Sequence, residues 1–338
     1  MNAQPALALV GDIGGTNARF ALTDLDRPQA DLQHIHALRN ADFASLQHAI
    51  EHYLAECGAQ PRRAAIAVAS PVNTDEIRLT NRAWSFSRRE MQAALGLDEL
   101  RMLNDFGAIA WSVPALQEHG EYEHLYGPEH AELQGPVSVI GAGTGLGVGL
   151  LVGSQANGWH AVETEGGHAS FAPLDSEERE IAAWMTAKYG RVSNERLLCG
   201  KGLSEIDAVL RGVPMRPSGS PLLPGESSLA NEMREPADVV ALALDGHDQA
   251  ARRTLARFCA VFGAVCGDAV LMHGARTVVI AGGIVPRFIP FLRSSAFRER
   301  FLAKGRFTAM LESVHVQVAT ASQPGLLGAA TALRASDL

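Results

Sequence analysis

Cysteine is scarce in this chain: four in 338 residues, Cys57, Cys199, Cys259 and Cys266. None form a C-x-x-C pair and their spacing fits no zinc pattern, which argues against a structural zinc site. They read as free thiols of a reducing compartment. Cys259 and Cys266, inside an apolar run, read as small buried hydrophobes. A surplus of basic charge is missing too. The 29 Lys and Arg against 37 Asp and Glu leave a net charge of −8 with no basic run, which speaks against a nucleic-acid partner. No stretch approaches the roughly 20 apolar residues of a membrane helix. The apolar run Ala6 to Val10 is too short for a signal peptide and has no basic flank. A cytoplasmic protein with no membrane partner is expected. Two nucleotide signatures are also absent: G-x-x-x-x-G-K-[ST] of P-loop proteins, and G-x-G-x-x-G opening a helix as in dinucleotide folds.

What is present is an ordinary globular balance, 47% hydrophobic and 20% charged, in a chain long enough for roughly two domains of about 150 residues and a cleft between them. The chain opens on a strand, Ala6 to Val10, a glycine-rich turn, Gly11-Asp12-Ile13-Gly14-Gly15-Thr16-Asn17, and a returning strand, Ala18 to Leu22. Strand, turn, strand is a hairpin and not the strand–loop–helix of a P-loop. A helix is predicted over about Phe43 to Glu56, a buried strand over Ala64 to Ala69, and a helix start with Ser87 as N-cap and Glu90 three residues on. Leu100 to Leu103 reads as a strand ending at Asn104-Asp105, with a helix from about Phe106.

The opening pattern then returns. Val137 to Ile140 is a strand, Gly141-Ala142-Gly143-Thr144-Gly145-Leu146-Gly147 a glycine-rich turn, and Val148 to Val152 a returning strand. Two such hairpins about 130 residues apart suggest an internal duplication. Helices dominate from about Ser176 to His273, interrupted by a proline- and glycine-rich stretch from Gly212 to Gly225 that reads as an exposed, mobile loop. A strand, Thr277 to Ala281, leads to Gly282-Gly283, with Pro286 at the first turn of the next helix. A strand over Val314 to Ala319 and an apolar helix, Leu326 to Leu333, close the pattern. This order implies an α/β fold in two related lobes. Residues 1–115 plus 318–338 are expected to form a smaller domain and residues 116–317 a larger one.

A phosphate group needs several N–H donors on a concave backbone that side chains do not block, and glycine meets both needs. Gly11, Gly14 and Gly15 offer this in the first hairpin, with Thr16 and Asn17 as added donors, and Thr144 and Gly145 offer it in the second. Gly282-Gly283 would let an adenosine pass close to the backbone. Tight turns without a ligand are the plainer alternative for any one cluster. Asp12 can hold a hydrated Mg²⁺ beside phosphates or cap its own turn.

Asn104-Asp105 sits where a strand gives way to a helix. A carboxylate there can take the proton of an attacking alcohol, and Asn104 can fix a neighbouring hydroxyl. Both types are also favoured helix N-caps, and spacing alone does not choose between these roles. Glu165-Gly166-Gly167-His168 sets an acid and an imidazole around two glycines, a pairing apt for a sugar ring. A polar loop or a metal site is the alternative. Glu195, opening another helix, reads by itself as a solvated acid.

Together these blocks resemble the bacterial glucokinase family, within the hexokinase/Hsp70/actin superfamily of phosphotransferases. The matching segments are Leu9 to Arg19, Leu103 to Phe106, Gly141 to Gly147, Glu165 to His168 and Ala281 to Phe288. They continue to Gln323-Pro324-Gly325-Leu326-Leu327-Gly328, where Gln323 stands in place of the family's Asn. The resemblance runs nearly the whole length in one order. It implies an actin-like fold of two ribonuclease-H-like lobes, the smaller completed by the C-terminal helix, often as a homodimer. It implies transfer of phosphate from ATP, with Mg²⁺, to the 6-hydroxyl of glucose, the first step of glycolysis. It makes Asp105 the general base and Asn104, Asp105, Glu165, His168 and Glu195 the glucose ligands. It sets the nucleotide phosphates at Gly11 to Thr16 and near Thr144-Gly145. The related ROK kinases carry a cysteine-rich zinc motif after the sugar-site histidine. Here His168 is followed by Ala169-Ser170-Phe171-Ala172-Pro173, similar to the zinc-free branch.

The rivals are a kinase for another hexose, such as mannose, fructose or an N-acetylated amino sugar, and a non-catalytic sugar-sensing regulator. The regulator needs a helix-turn-helix, for which the five residues ahead of Ala6 leave no room. A nucleotide-gated chaperone of the same superfamily would need a peptide-binding segment.

Overall fold

The computed structural model describes residues 6–79, 84–129, 132–213 and 233–335. Residues 214–225 of the stretch expected to be an exposed loop lie outside the described residues.

Runs of apolar residues buried on both faces set the centre of each sheet. In the first sheet these are β1 (Leu7–Ile13) and β4 (Arg63–Val68), flanked by β2 (Asn17–Asp24), β3 (Gln33–Arg39) and β7 (Glu99–Asn104) in the order β3-β2-β1-β4-β7. A small hairpin of β5 (Glu76–Arg78) and β6 (Ser85–Ser87) stands apart. The second sheet is built on β9 (Val137–Ala142) and β12 (Thr277–Ala281), both buried throughout. With β8 (Tyr122–Tyr126), β10 (Leu146–Ser154), β11 (Gly158–Thr164) and β13 (His315–Ala319) it runs β11-β10-β9-β12-β13-β8.

All five strands of the first sheet and β9 to β13 of the second follow one plan, with β1 and β9 as the opening strands. The opening strand pairs antiparallel with the second and the second with the third, and the opening strand pairs parallel with the fourth and the fourth with the fifth. The duplication suggested by the two glycine hairpins is therefore present in topology.

The helix Asp105–His119 lies between the sheets, and its buried residues include Ala108, Trp111, Val113 and Leu116. Helix Pro324–Arg334 packs against it and against β1 and β4. One cluster of buried side chains joins Val10 and Ala65 of the first sheet, Trp111 of the helix between the sheets, Val139 and Val279 of the second sheet, and Leu326 and Leu333. A second lies on the outer face of the first sheet around Phe20, Ile50, Tyr53 and Ile66. The largest holds Phe258, Phe262, Phe297 and Phe301. Burying each such ring fully stabilises by about 1.5–3 kcal/mol.

Some expected boundaries move. The helix expected from Phe43 starts at Leu46, because the Ser45 hydroxyl accepts the His48 N–H and fixes the start there. Ser87 caps Arg88–Ala94 as expected, accepting from the Glu90 N–H. The expectation that no segment approaches membrane-helix length needs correction. Gln249–His273 is long and apolar enough by length and composition, yet 67% of its most apolar stretch is buried inside the protein. Its apolar stretch packs against neighbouring helices and β9, while Arg252, Arg253 and Asp268 remain exposed. Cys259 and Cys266 sit fully buried on it, and burial pushes the Cys259 thiol up to about 12.

Candidate active site

A cleft of about 460 Å³ opens between the two sheets. Its walls bring together Asn104, Asp105, Thr144, Gly145, Glu165, His168, Glu195 and Gly282. The first glycine turn and Gly283 are not part of that wall, although the Asp12 carboxylate is close enough to act on Asp105.

Asn104 and Asp105 take different roles, which the sequence left open. Asn104 is the N-cap: its Oδ1 accepts the N–H groups of Phe106 at 3.0 Å and Gly107 at 3.2 Å. Its acceptor is thus committed to the helix, the capping role that spacing alone did not separate from a ligand role. Asp105 is the first helical residue, and its carboxyl group lies on the cleft wall with Oδ1 accepting the Phe106 N–H at 2.8 Å. Burial pushes this carboxyl above the usual carboxylate range. The Phe106 N–H pulls it back, and the neighbouring Asp12 and Glu165 carboxylates raise it further.

Phe106 seats the helix on the second sheet. Its ring covers Gly147 so closely that a Cβ there would overlap it, and a Cβ on Gly141 would lie 2.9 Å from its edge. The expected turn Gly141–Gly147 is therefore shorter than its glycines suggest. Gly141 and Gly147 are strand residues without side chains because an aromatic ring packs on them, and the turn itself is Gly143–Gly145. Gly143 N–H bonds to Gly145 O at 2.8 Å, and Gly143 O accepts the Gly200 N–H at 2.9 Å.

The segment Glu165–His168 lies against β10. A Cβ on Gly167 would overlap the Leu146 carbonyl, and one on Gly166 would lie 3.0 Å from Val148. The two glycines thus let the backbone settle onto the strand, so that Glu165 and His168 both reach the cleft wall. Glu195 joins the two halves of the site. Its Oε2 accepts the Leu146 N–H at 3.1 Å, and its Oε1 stands 3.7 Å from His168 Nε2. A Cβ on Gly145 would come within 2.5 Å of Oε2.

The first turn, Gly14 to Thr16, is exposed at Gly15 and Thr16. It is held by Asn40, a residue that sequence reasoning missed. Asn40 Nδ2 donates to Gly14 O at 2.8 Å and its N–H to Thr16 O at 2.9 Å. Gly11 and Ile13 lie inside β1 and are buried. A Cβ on Gly11 would lie 2.7 Å from Ile66, so packing alone accounts for that glycine. Asp12 faces Arg19 at 3.5 Å and is raised by burial, against the lowering effect of that guanidinium. The start of helix Pro324–Arg334 approaches it, with a Cβ on Gly325 falling 2.8 Å from Asp12 Cγ.

Among the described residues no group of three His, Cys, Asp or Glu side chains could cage a metal ion. A single carboxylate beside a turn of backbone N–H groups suits an ion that keeps its water and arrives with phosphates. Mg²⁺ therefore fits the donors present. Ser70, also missed, lines the cleft while nearly buried, and its hydroxyl has no protein partner. Only its position after β4 could have pointed to it.

The family model for glucokinase matches residues 9–336. A glucokinase from Tolumonas auensis is 42% identical over 327 residues, 96% of this chain and 96% of that protein. The solved structure of a glucokinase from an Antarctic psychrotroph superposes with a TM-score of 0.82 at 32% identity, covering 98% of this chain and 99% of that one. A ROK family glucokinase from Streptomyces griseus, solved with glucose and AMPPNP, matches with a TM-score of 0.59 at 19% identity over 96% of this chain and 98% of that one. The fold is that of the actin-like sugar kinases, as the sequence led us to expect.

Proposed function

The chain belongs to the glucokinase family, and from that premise we propose that it transfers the terminal phosphate of ATP to the 6-hydroxyl of glucose, with Asp105 as the general base. The observation that carries the reading is the division of labour at residues 104 and 105. Asn104 caps the helix, and the Asp105 carboxyl stands on the wall of a cleft shared with Glu165, His168 and Glu195.

In this reading glucose lies between the sheets with its 6-hydroxyl at Asp105. Glu165, His168 and Glu195 bind the other ring hydroxyls, and the amide of Asn104 adds a donor. The turn Gly14 to Asn17 of the first hairpin and Thr144-Gly145 of the second bind the nucleotide phosphates, and Gly282-Gly283 receives the adenosine. Asp12 is the residue that would hold Mg²⁺ through water. When bound, that ion neutralises charge on the phosphoryl oxygens. Asp105 orients the sugar oxygen and takes its proton as the bond to phosphorus forms, while backbone N–H groups meet the developing negative charge. Glu195, bonded to the Leu146 N–H after the second turn, couples the occupied sugar site to the phosphate loop. The division of the chain into residues 1–115 plus 318–338 and 116–317, a homodimer and a cytoplasmic location belong to the same proposal.

The test is NADPH-linked detection of glucose 6-phosphate with varied phosphate donors, together with ATP-dependent ADP release measured over a panel of sugars. Rapid glucose- and ATP-dependent turnover is expected. A clear preference for mannose, fructose or an N-acetylated amino sugar would replace the substrate. Operator binding without turnover would replace the reaction.

A pH profile adds a second check. Asp105 must be ionised to accept a proton, and its carboxyl is raised by burial. The protonated, inactive form therefore persists to higher pH than for an ordinary carboxylate. We expect kcat/KM for glucose to be full near neutrality and to fall as pH drops through a value above the usual carboxylate range. A profile that stays flat down into that range would contradict it.

A further inference from the structure

An acidic side chain that the mechanism above does not use touches the start of helix Asp105–His119. Glu163 Oε1 accepts the backbone N–H of Asn104 at 2.9 Å. In a capping box, the N-cap side chain bonds to the first turn, and a Glu or Gln at the third helical position reaches back to the N-cap N–H. Asn104 performs the first half, bonding to Phe106 N–H and Gly107 N–H. The third helical position is Gly107, which has no side chain to perform the second. The space its Cβ would occupy is taken by Glu163: such an atom would lie 2.6 Å from Oε1 and 2.8 Å from Cγ. The box is complete, but its acid comes from β11 of the second sheet, 59 positions along the chain.

We infer that Glu163 is a positioning residue for the base, closing the capping box of Asp105's helix from the opposite sheet. The inference rests on the proposed role of Asp105. Glu163 lies two residues before Glu165 on the same segment. One carboxylate thereby fixes the Leu103–Asn104 peptide, one residue ahead of Asp105, relative to the strand that leads into the sugar-facing acid. A negative charge at a helix N-terminus is also favoured by the peptide dipoles. Glycine at position 107 is required by this contact, since a side chain there would expel Glu163.

Four variants test it in the coupled assay: Glu163→Ala, Glu163→Gln, Gly107→Ala and the double variant Glu163→Ala with Gly107→Ala. Glu163→Ala should lower kcat about tenfold with KM for ATP within about twofold of wild type, because small displacements of a reacting group cost up to about 10² in rate. Glu163→Gln keeps an acceptor oxygen and should recover kcat to within about threefold of wild type. Gly107→Ala should lose about as much kcat as Glu163→Ala. In the double variant the two losses should not multiply, because both break the same contact. Alanine is the better helix former, so Gly107→Ala should lose kcat without a lower Tm, which a general loosening of the fold would not produce. A kcat for Glu163→Ala within about twofold of wild type, or losses that multiply in the double variant, would overturn the inference. Absence of glucose-dependent turnover in the wild-type chain would instead overturn the proposed function. A fully active wild type with an equally fast Glu163→Ala variant removes only the positioning role.

Discussion

Asp105→Asn is expected to lower kcat by about 10² to 10⁴. The substitution is nearly isosteric, and the amide oxygen can still accept the Phe106 N–H that Asp105 Oδ1 accepts at 2.8 Å. The helix start keeps its cap, because the capping oxygen belongs to Asn104. What disappears is a group able to take a proton from the sugar hydroxyl. Stability should be unchanged or slightly raised, since the variant removes a carboxylate whose ionised form is disfavoured by burial and by Asp12 and Glu165. Binding of ATP, measured by calorimetry, should stay within about twofold of wild type. The acid limb of the pH profile should vanish with the carboxylate. A variant that turns over within about threefold of wild type would take residue 105 out of the mechanism.

Gly328→Ala should destabilise the protein by about 3 kcal/mol, near the upper end of what overpacking costs. In an open helix the same change would stabilise by about 1 kcal/mol, so the sign is diagnostic. Gly328 lies in helix Pro324–Arg334 where it crosses Asp105–His119. A Cβ there would overlap the Ala108 carbonyl and approach Ser112 N at 3.0 Å. Both neighbours are helix backbone and cannot turn aside, so one helix must move. Against a total stability of about 5–15 kcal/mol, urea unfolding would register the loss as a clear fall in midpoint. Gly58→Ala is the control. Gly58 has open space around it and a φ of 61°, so its cost is the backbone strain of about 1–2 kcal/mol alone. A Gly328→Ala protein as stable as wild type would mean that the two helices are not in direct backbone contact.

The parts of the fold legible in the sequence were those set by short-range patterning. Ala64 to Ala69 and Thr277 to Ala281 read as buried strands because they are apolar on both faces, and the strands found there, Arg63–Val68 and Thr277–Ala281, are central. The two glycine hairpins showed themselves, and the sheets built on them share one strand plan. Residues 104 and 105 were found, but not told apart. Asn and Asp are both good caps, and only the placement of Asn104 Oδ1 over two N–H groups separates them. Glycines misled where packing, not a turn, demanded them: Gly141 and Gly147 make room for Phe106, and Gly11 for Ile66. Glu163 was invisible because its partner is 59 positions away. The sole local trace was a glycine at the third helical position, where a capping box would carry an acid. The helix Gln249–His273 was underestimated as an apolar segment because its few charges break the run without changing its overall character.

Helix Pro324–Arg334 carries one further consequence. Its first turn approaches Asp12, and its middle locks against the helix that Asp105 begins. Two carboxylates from the first third of the chain thus depend on a segment some 220 to 310 positions downstream. Contacts so distant in sequence carry a large loop-closure cost. A partly folded chain can own its strands and hairpins and still hold both carboxylates unsupported.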